Sequence, residues 1–183
     1  MKKIIVSVLG HDRPGIIATV SGVLFENGCN MEDVSQTILQ TEFAGIFIAS
    51  HPDSLKQDDL LGRLREKLGP TGLSVLLRDM EEAGIWESPP SEPFVITTLG
   101  PDRPGLVAGV TELLARFGVN ISNLKAVFRG GDDPQANTMI YEVDIPATVD
   151  QNLFREALRG RGIELGLDIS LQHREIFEAI HRV

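Results

Sequence analysis

Two copies of a short loop carry the groups that suit the binding of a small anion. Residues 10–15 read Gly-His-Asp-Arg-Pro-Gly and residues 100–105 read Gly-Pro-Asp-Arg-Pro-Gly, 90 positions further on. Glycine permits positive φ angles and close backbone approach, and proline is preset for a helix start. Where such a loop opens a helix, the first N–H groups and the positive end of the helix dipole can hold a carboxylate or another anion.

The charged residues of these loops admit two explanations. Asp12 and Asp102 are suited to cap the first amides of a helix, so the loop could simply be a well-made helix start. A cap does not require an arginine, however, and Arg13 and Arg103 repeat at the same place. The repeated arginine favours a ligand or a domain interface, with a salt bridge to a nearby acid as the alternative.

A second repeated segment follows the helix that each loop opens. Residues 28–33 read Gly-Cys-Asn-Met-Glu-Asp and residues 118–123 read Gly-Val-Asn-Ile-Ser-Asn. The glycine is typical of a left-handed helix end. The amide of Asn30 or Asn120 can both donate and accept hydrogen bonds. That amide suits either a ligand amino group or a bond within its own turn.

Both segments belong to an internal duplication of the sequence. Between residues 10 and 34, ten of the 25 positions are identical to those 90 residues later, which indicates a duplicated domain rather than a solenoid. Hydrophobic periodicity predicts strands at 3–9, 30–39, 45–50 and 73–77 and helices at 14–26 and 55–68 in the first copy. The second copy is predicted to have strands near 94–99, 120–129, 138–145 and 165–171, helices near 104–117 and 151–161, and a turn at 130–134.

The order βαββαβ is typical of a ferredoxin-like α+β domain, in which both helices cover one face of an antiparallel sheet. We therefore predict domains at 1–80 and 93–173, a stiff linker at 81–92 that contains two prolines, and a tail helix at 174–183. The tail helix is expected either to dock on its own domain or to bind a partner. In this fold the second strand lies at a sheet edge, where it invites pairing with another domain.

Composition and spacing exclude several classes of function. The residues before Ser88 include 8 basic and 13 acidic side chains and those from Ser88 onward 9 and 13, so neither half has the basic cluster that direct nucleic-acid binding requires. The single cysteine, Cys29, suits a reducing cytoplasmic setting, and no apolar run is long enough to span a membrane. The four histidines lack metal-ligand spacing. We expect no catalysis, no metal and no cofactor.

The loop Asp-Arg-Pro-Gly-[Ile/Leu]-[Ile/Val]-Ala, the Gly-x-Asn-[Met/Ile] strand start and the βαββαβ order resemble the ACT domain, a regulatory amino-acid-binding module. The resemblance holds for two consecutive copies, which together cover nearly the whole chain. Residues 28–33 with 41–43 are also similar to tandem ACT proteins that repress transcription of the glycine cleavage system and have no DNA-binding domain.

The resemblance implies a small-ligand site at an interface between ACT domains, formed by the first loop and the start of the second strand. The implied ligand-binding residues are Asp12, Arg13, Pro14, Gly15, Ile16, Asn30 and Met31 in the first copy and Asp102, Arg103, Gly105, Leu106, Asn120 and Ile121 in the second. Ser122 and Asn123 replace Glu32 and Asp33, so the two sites need not be equivalent.

The predicted function is that of a non-enzymatic regulator that binds a small amino acid and acts through a protein partner such as a DNA-binding regulator. The alternative is a protein-interaction adaptor that needs no ligand. The small core of each copy and its unpaired edge strand predict that two chains form a homodimer.

Overall fold

Regular alternation of apolar and more polar residues builds the strands of this protein. In the first strand Ile4, Val6 and Val8 are fully buried and the residues between them are more exposed, because successive side chains of a strand point to opposite faces of the sheet. The computed structural model describes residues 2–80, 89–128 and 137–181. It divides the chain into two units, Met1–Trp86 and Glu87–Val183.

Each unit has the predicted order of elements. The first contains β1 (Lys2–His11), α1 (Ile16–Glu26), β2 (Asn30–Leu39), β3 (Glu42–His51), α2 (Gln57–Leu68), a 3₁₀ turn (Gly69–Thr71) and β4 (Ser74–Asp79). The second contains β5 (Ser91–Gly100), α3 (Leu106–Arg116), β6 (Asn120–Phe128), β7 (Asn137–Pro146), α4 (Gln151–Leu165), β8 (Asp168–His173) and α5 (Arg174–His181).

The sheets confirm the predicted ferredoxin-like topology. Their strand orders are β2-β3-β1-β4 and β6-β7-β5-β8, and every pairing is antiparallel. The second strand of each copy therefore lies at a sheet edge, as expected. Most of β2 is exposed along its length.

Both helices of each copy bury one apolar stripe in the core. Helix α1 buries Val20, Val23 and Leu24, and α2 buries Leu60, Leu64 and Leu68, which recur at the spacing of one helix face. These residues form one cluster with the inward side chains of β1 and β3. The helices thus cover one face of the sheet, and no helix formed by residues 2–80 covers the other face of the first sheet.

One prediction about the second copy was wrong. Helix α4 was expected to end near 161 and the last strand to begin at 165, but α4 continues to Leu165 and β8 starts at Asp168. A Cβ at Gly162 would lie only 3.0 Å from the carbonyl oxygen of Leu167, so this glycine allows a close tertiary contact inside the helix instead of ending it.

The boundaries of the linker and the tail are partly described. Strand β5 begins at Ser91, inside the segment 81–92 that was expected to be a linker, while residues 81–88 and the turn at 130–134 lie outside the described residues. Helix α5 packs beside β5 and β8. Its Arg174 lies 3.9 Å from a carboxylate oxygen of Glu142 and 3.7 Å from one of Asp144. Of the two expectations for the tail helix, these contacts agree with docking on its own domain.

Replacement of Gly45 should test how tightly the first core is packed. A Cβ there would lie 2.7 Å from two ring carbons of Phe43, so we expect Gly45→Ala to lower the free energy of unfolding by about 1–3 kcal/mol. Gly22→Ala is the control: apart from its chain neighbours and the nearby backbone of α1, no atom lies within 4 Å of a Cβ at that position, and alanine should stabilise the helix by about 0.5–1 kcal/mol. Urea unfolding midpoints measure both changes, and a harmless Gly45→Ala would contradict this packing.

Candidate functional site

The first loop turns the chain from strand to helix through a left-handed glycine. The N–H of Asp12 donates a 2.8 Å hydrogen bond to the carbonyl of Thr41, which ties the loop to the turn between β2 and β3. Gly15 then adopts φ 95° and stands directly before α1, and Gly105 adopts φ 91° before α3. Residues with a side chain adopt such angles only at a cost in energy. The positive φ angle therefore explains why glycine occupies this position in both loops.

The expected capping role of the aspartates is wrong. The helices begin at Ile16 and Leu106, and neither has a side-chain cap. The left-handed Gly15 is the residue directly before the helix, and Asp12 lies three residues earlier. Asp12 is therefore not at the capping position. Asp102 instead accepts a 3.2 Å hydrogen bond from the side-chain Nδ2 of Asn137. The proline of each loop also precedes the helix and is not part of its first turn.

The start of α1 therefore offers unused donors. The first helical bond runs from the N–H of Thr19 to the carbonyl of Gly15 at 2.9 Å. The N–H groups of Ile16, Ile17 and Ala18 have no acceptor among the residues that the structure describes. Free amides at the positive end of a helix dipole are a favourable environment for an anion.

A small crevice lies beside the start of α1 in the first unit. Its volume is about 110 Å³, and it is lined by Arg13, Pro14, Gly15, Ile16, Thr19, Lys67, Leu68, Thr71 and Leu73. The structure thus brings together four of the residues expected from the sequence and adds the end of α2. A drug-sized ligand occupies about 300–1,000 Å³, so this crevice fits only a small molecule or one end of a larger one.

Sequence analysis missed the contribution of Lys67 and Thr71. The predicted end of helix α2 at residue 68 agrees with the structure, in which the 3₁₀ turn Gly69–Thr71 follows and places Thr71 against the β1–α1 loop. The hydroxyl of Thr71 donates a 2.6 Å hydrogen bond to the carbonyl of Leu68. Lysine near the end of the second helix is the sequence signal that could have pointed to a second cation in this crevice.

The second loop is arranged differently. A guanidinium nitrogen of Arg103 donates to the carbonyl of Leu165, the last residue of α4. The side chain of Leu165 also fills the space over α3, since a Cβ at Gly109 would lie 2.9 Å from one of its methyl carbons. Arg103 therefore makes an intramolecular contact with a helix end, which is neither the ligand contact nor the salt bridge considered from the sequence.

The asparagine segments lie at the opposite end of each sheet from the loops. Asn30 pairs with Ser50 across the sheet, whereas His11, the last residue before the loop, pairs with Glu42. Eight residues of β3 separate these points, which is about 27 Å along a strand. Asn30 is exposed, and Met31 packs against the core. A single domain therefore does not bring Arg13 and Asn30 together.

A β-bulge marks the start of the second strand in both copies. The register shifts between Met31 and Asp33 and again between Ile121 and Asn123. The extra residue in the first copy is Glu32, whose carboxylate lies 2.6 Å from the ammonium nitrogen of Lys3. Hydrogen bonds from Lys3 and then from Ser50 lower the pKa of Glu32 below its usual value.

The second copy has a shallow groove beside its asparagine. The groove measures about 540 Å³ and is lined by Ala108, Thr111, Glu112, Ala115, Val119, Asn120 and Ile121. It contains two of the residues expected to bind ligand but none of the loop residues Asp102, Arg103, Gly105 and Leu106. In the first copy Phe25 stands in the place of Ala115, and its side chain is 82% exposed.

The single cysteine, Cys29, is buried. Burial raises the pKa of the Cys29 thiol above its usual value, which disfavours the reactive thiolate. No group of three or more His, Cys, Asp or Glu side chains among residues 2–80, 89–128 and 137–181 is placed to hold a metal ion. Within the same residues, no helix has both the length and the apolar composition needed to cross a bilayer.

Comparison with known proteins shows a match in both units. The sequence model of the ACT domain matches residues 2–76 and 92–172. The UPF0237 protein of Methanopyrus kandleri is 39% identical over 90 residues, which are 49% of this chain and 96% of that protein. The UPF0237 protein of Methanococcus maripaludis is 38% identical over 93 residues, which are 50% of this chain and 99% of that protein.

Two solved structures resemble the chain over nearly its whole length. An unknown protein from Galdieria sulphuraria has a TM-score of 0.73 at 27% identity, with 94% of this chain and 98% of that one covered. A candidate glycine cleavage system transcriptional repressor has a TM-score of 0.63 at 18% identity, with 93% and 96% covered. The second likeness concerns the fold alone.

Alanine substitutions should show that Asp150, which caps a helix, contributes more to stability than Asp12 in the loop. Asp150 precedes α4, and its carboxylate accepts hydrogen bonds of 2.8 and 3.1 Å from the N–H groups of Asn152 and Leu153. We expect Asp150→Ala to lower the free energy of unfolding by about 1 kcal/mol. Asp12→Ala removes no cap and should change it by less than about 0.5 kcal/mol. Equal losses in denaturant unfolding would show that Asp12 caps α1 after all.

Proposed function

Because this chain belongs to the ACT domain family, we propose that it is a regulatory protein without catalytic activity that binds a small amino acid. The observation that carries this proposal is the start of α1. Three backbone N–H groups at this helix start have no protein acceptor among the described residues, and Arg13 and Ile16 both line the crevice beside it. Backbone donors and a guanidinium are suited to a carboxylate, which every free amino acid has.

The geometry favours a site completed by a second ACT domain. Leu39, at the end of β2, pairs with Glu42, which in turn pairs with His11 beside the loop. If the edge strand β2 of a second molecule paired antiparallel with this one, its beginning would lie beside the end of the first. The Asn30 of that molecule would then approach this loop. Pairing of edge strands therefore supports a ligand site shared between domains.

We place this amino-acid sensor in the control of transcription, with glycine cleavage as the candidate pathway. The support is the similarity of residues 28–33 and 41–43 to tandem ACT repressors and the shared fold with the candidate glycine cleavage repressor. The net charge of −9 disfavours direct contact with DNA, so regulation would pass through a DNA-binding partner in the cytoplasm. If the purified protein alone retarded a promoter fragment at physiological salt, this version would be wrong.

A second candidate function is that of an adaptor that binds another protein without any ligand. The face of the first sheet that no helix of residues 2–80 covers favours it. Ile46 and Leu76 flank Ser7 on neighbouring strands, Leu9 lies two residues further along β1 on the same face, and these three apolar side chains are 52%, 60% and 56% exposed. Contiguous exposed apolar surface is typical of protein interaction sites.

A thermal-shift screen of the common amino acids tests the proposed function. A ligand at a hundred times its Kd stabilises the folded state by about 2.7 kcal/mol, so the correct amino acid should raise the melting temperature by several degrees. Sodium chloride at the same molar concentration is the control for nonspecific salt effects, and the D-enantiomers of the chiral amino acids are the control for stereospecific binding. Flat curves for every amino acid at millimolar concentration would favour the adaptor.

Light scattering across a dilution series tests the proposed homodimer. We expect twice the 20.0 kDa mass of one chain at high concentration. Ile38→Lys places a charge on the edge strand β2 and should shift the protein towards monomer, since charged edge strands resist pairing. Leu76→Lys on β4, at the opposite edge, should leave the dimer intact. A dimer that only Leu76→Lys disrupts would place the contact on the other edge or on the sheet face.

A further inference from the structure

The two copies of the loop meet different helix ends, and we propose that only the first copy binds the head group of an amino acid. In the second copy Arg103 and Leu165 occupy the corresponding space. This inference rests on the proposed amino-acid binding and states which half of the chain performs it.

The helix ends of the two copies correspond residue by residue. Helix α2 with its 3₁₀ turn covers residues 57–71, and α4 covers Gln151–Leu165, so each comprises fifteen residues that begin with glutamine. Each is followed by a left-handed glycine, Gly72 with φ 81° and Gly166 with φ 59°. Thr71 therefore corresponds to Leu165, and Lys67 corresponds to Arg161.

Two pairs of residues decide whether the crevice is open. In the second copy the side chain of Leu165 packs on Gly109, where a Cβ would lie only 2.9 Å away. In the first copy both positions are threonine. Thr19 and Thr71 line the open crevice, and their hydroxyls donate to the carbonyls of Gly15 and Leu68 on their own segments.

The arginines of the two loops also differ. Arg103 donates to the carbonyl of Leu165. Arg13 forms no hydrogen bond or ion pair with any described residue, and the carbonyl of Thr71 accepts no hydrogen bond from this part of the chain. The first copy therefore keeps both a cationic donor and a helix-end acceptor available, whereas the second copy joins its own pair together.

The charges at the positions of Lys67 and Pro70 also differ between the copies. Arg161 lies 3.5 Å from a carboxylate oxygen of Glu164 on its own helix. In the first copy Pro70 stands in the place of that acid, and Lys67 has no ion-pair partner among the described residues. Two uncompensated cations, Arg13 and Lys67, thus share the first crevice and favour an anion there.

These groups together match a zwitterion. A carboxylate would meet the free amides of α1 with Arg13 and Lys67, and an ammonium group would meet the carbonyl of Thr71 as the guanidinium of Arg103 meets that of Leu165. The crevice volume of about 110 Å³ limits the enclosed part to the head group of an α-amino acid. The guanidinium of Arg103 thus takes in the second copy the place that a ligand ammonium group takes in the first.

Backbone NMR of the full chain titrated with glycine tests the assignment. Glycine is the smallest molecule with both head-group charges, and acetate and methylammonium carry one charge each. We expect glycine to shift the amide signals of Ile16, Ile17 and Ala18 and to leave those of residues 106–108 unchanged. Each single-charge probe should bind at least tenfold more weakly than glycine. Equal shifts at both loops, or none at either, would overturn the proposal.

Matched arginine variants provide the second test. Arg13→Ala should weaken glycine binding at least tenfold with an unchanged urea midpoint. Arg103→Ala should leave glycine affinity within twofold but lower the urea midpoint, because it removes the contact with Leu165. Equal losses of affinity in the two variants would overturn the assignment.

Chemical modification tests, without any ligand, whether Arg13 is more accessible than Arg103. Phenylglyoxal should modify Arg13 several-fold faster than Arg103, and equal rates would contradict the closed second crevice. If a larger amino acid raises the melting temperature while glycine affects neither loop, the ligand binds elsewhere. That result would reject this inference and leave the proposed function standing.

Discussion

The left-handed glycine between strand and helix is the constraint on which the candidate site depends. Gly15 and Gly105 turn the chain at φ angles of 95° and 91°, and the helix that follows has no side-chain cap. A helix whose first amides are not satisfied by its own side chains must find water or a ligand there. The packed core then decides what faces those amides, because α1 and α2 bury their apolar stripes in one cluster.

Duplication supplied the same loop twice, and the end of the second helix made the copies different. Gly69-Pro70 ends α2 in a 3₁₀ turn with a threonine at its close, whereas α4 remains regular to Leu165. A leucine opposite a glycine fills the second crevice by close packing, and two threonines leave the first one open. Equivalent motifs therefore do not imply equivalent binding, since a few side chains outside the motif determine the available space.

The register of the sheet determines which parts of two domains could share a ligand. The loop and the asparagine lie at opposite ends of one domain, although both belong to motifs that the two copies repeat. Antiparallel association along the exposed β2 edge would reconcile these positions, because it brings opposite ends of two sheets together. Assembly and ligand binding would then depend on each other, as expected for a regulatory module whose ligand bridges two domains.

Local patterns were enough to identify the duplication, the order of elements, the edge position of the second strand and the glycines at both helix boundaries, because periodicity and backbone conformational limits act over a few residues. They also placed Arg13, Pro14, Gly15 and Ile16 together. Local patterns did not reveal that Asp12 is no cap, that Lys67 and Thr71 join the loop, or that Arg103 contacts Leu165, 62 residues away. Only the tertiary structure decided these points, because the ends of two helices distant in sequence meet only when their apolar faces pack into one core.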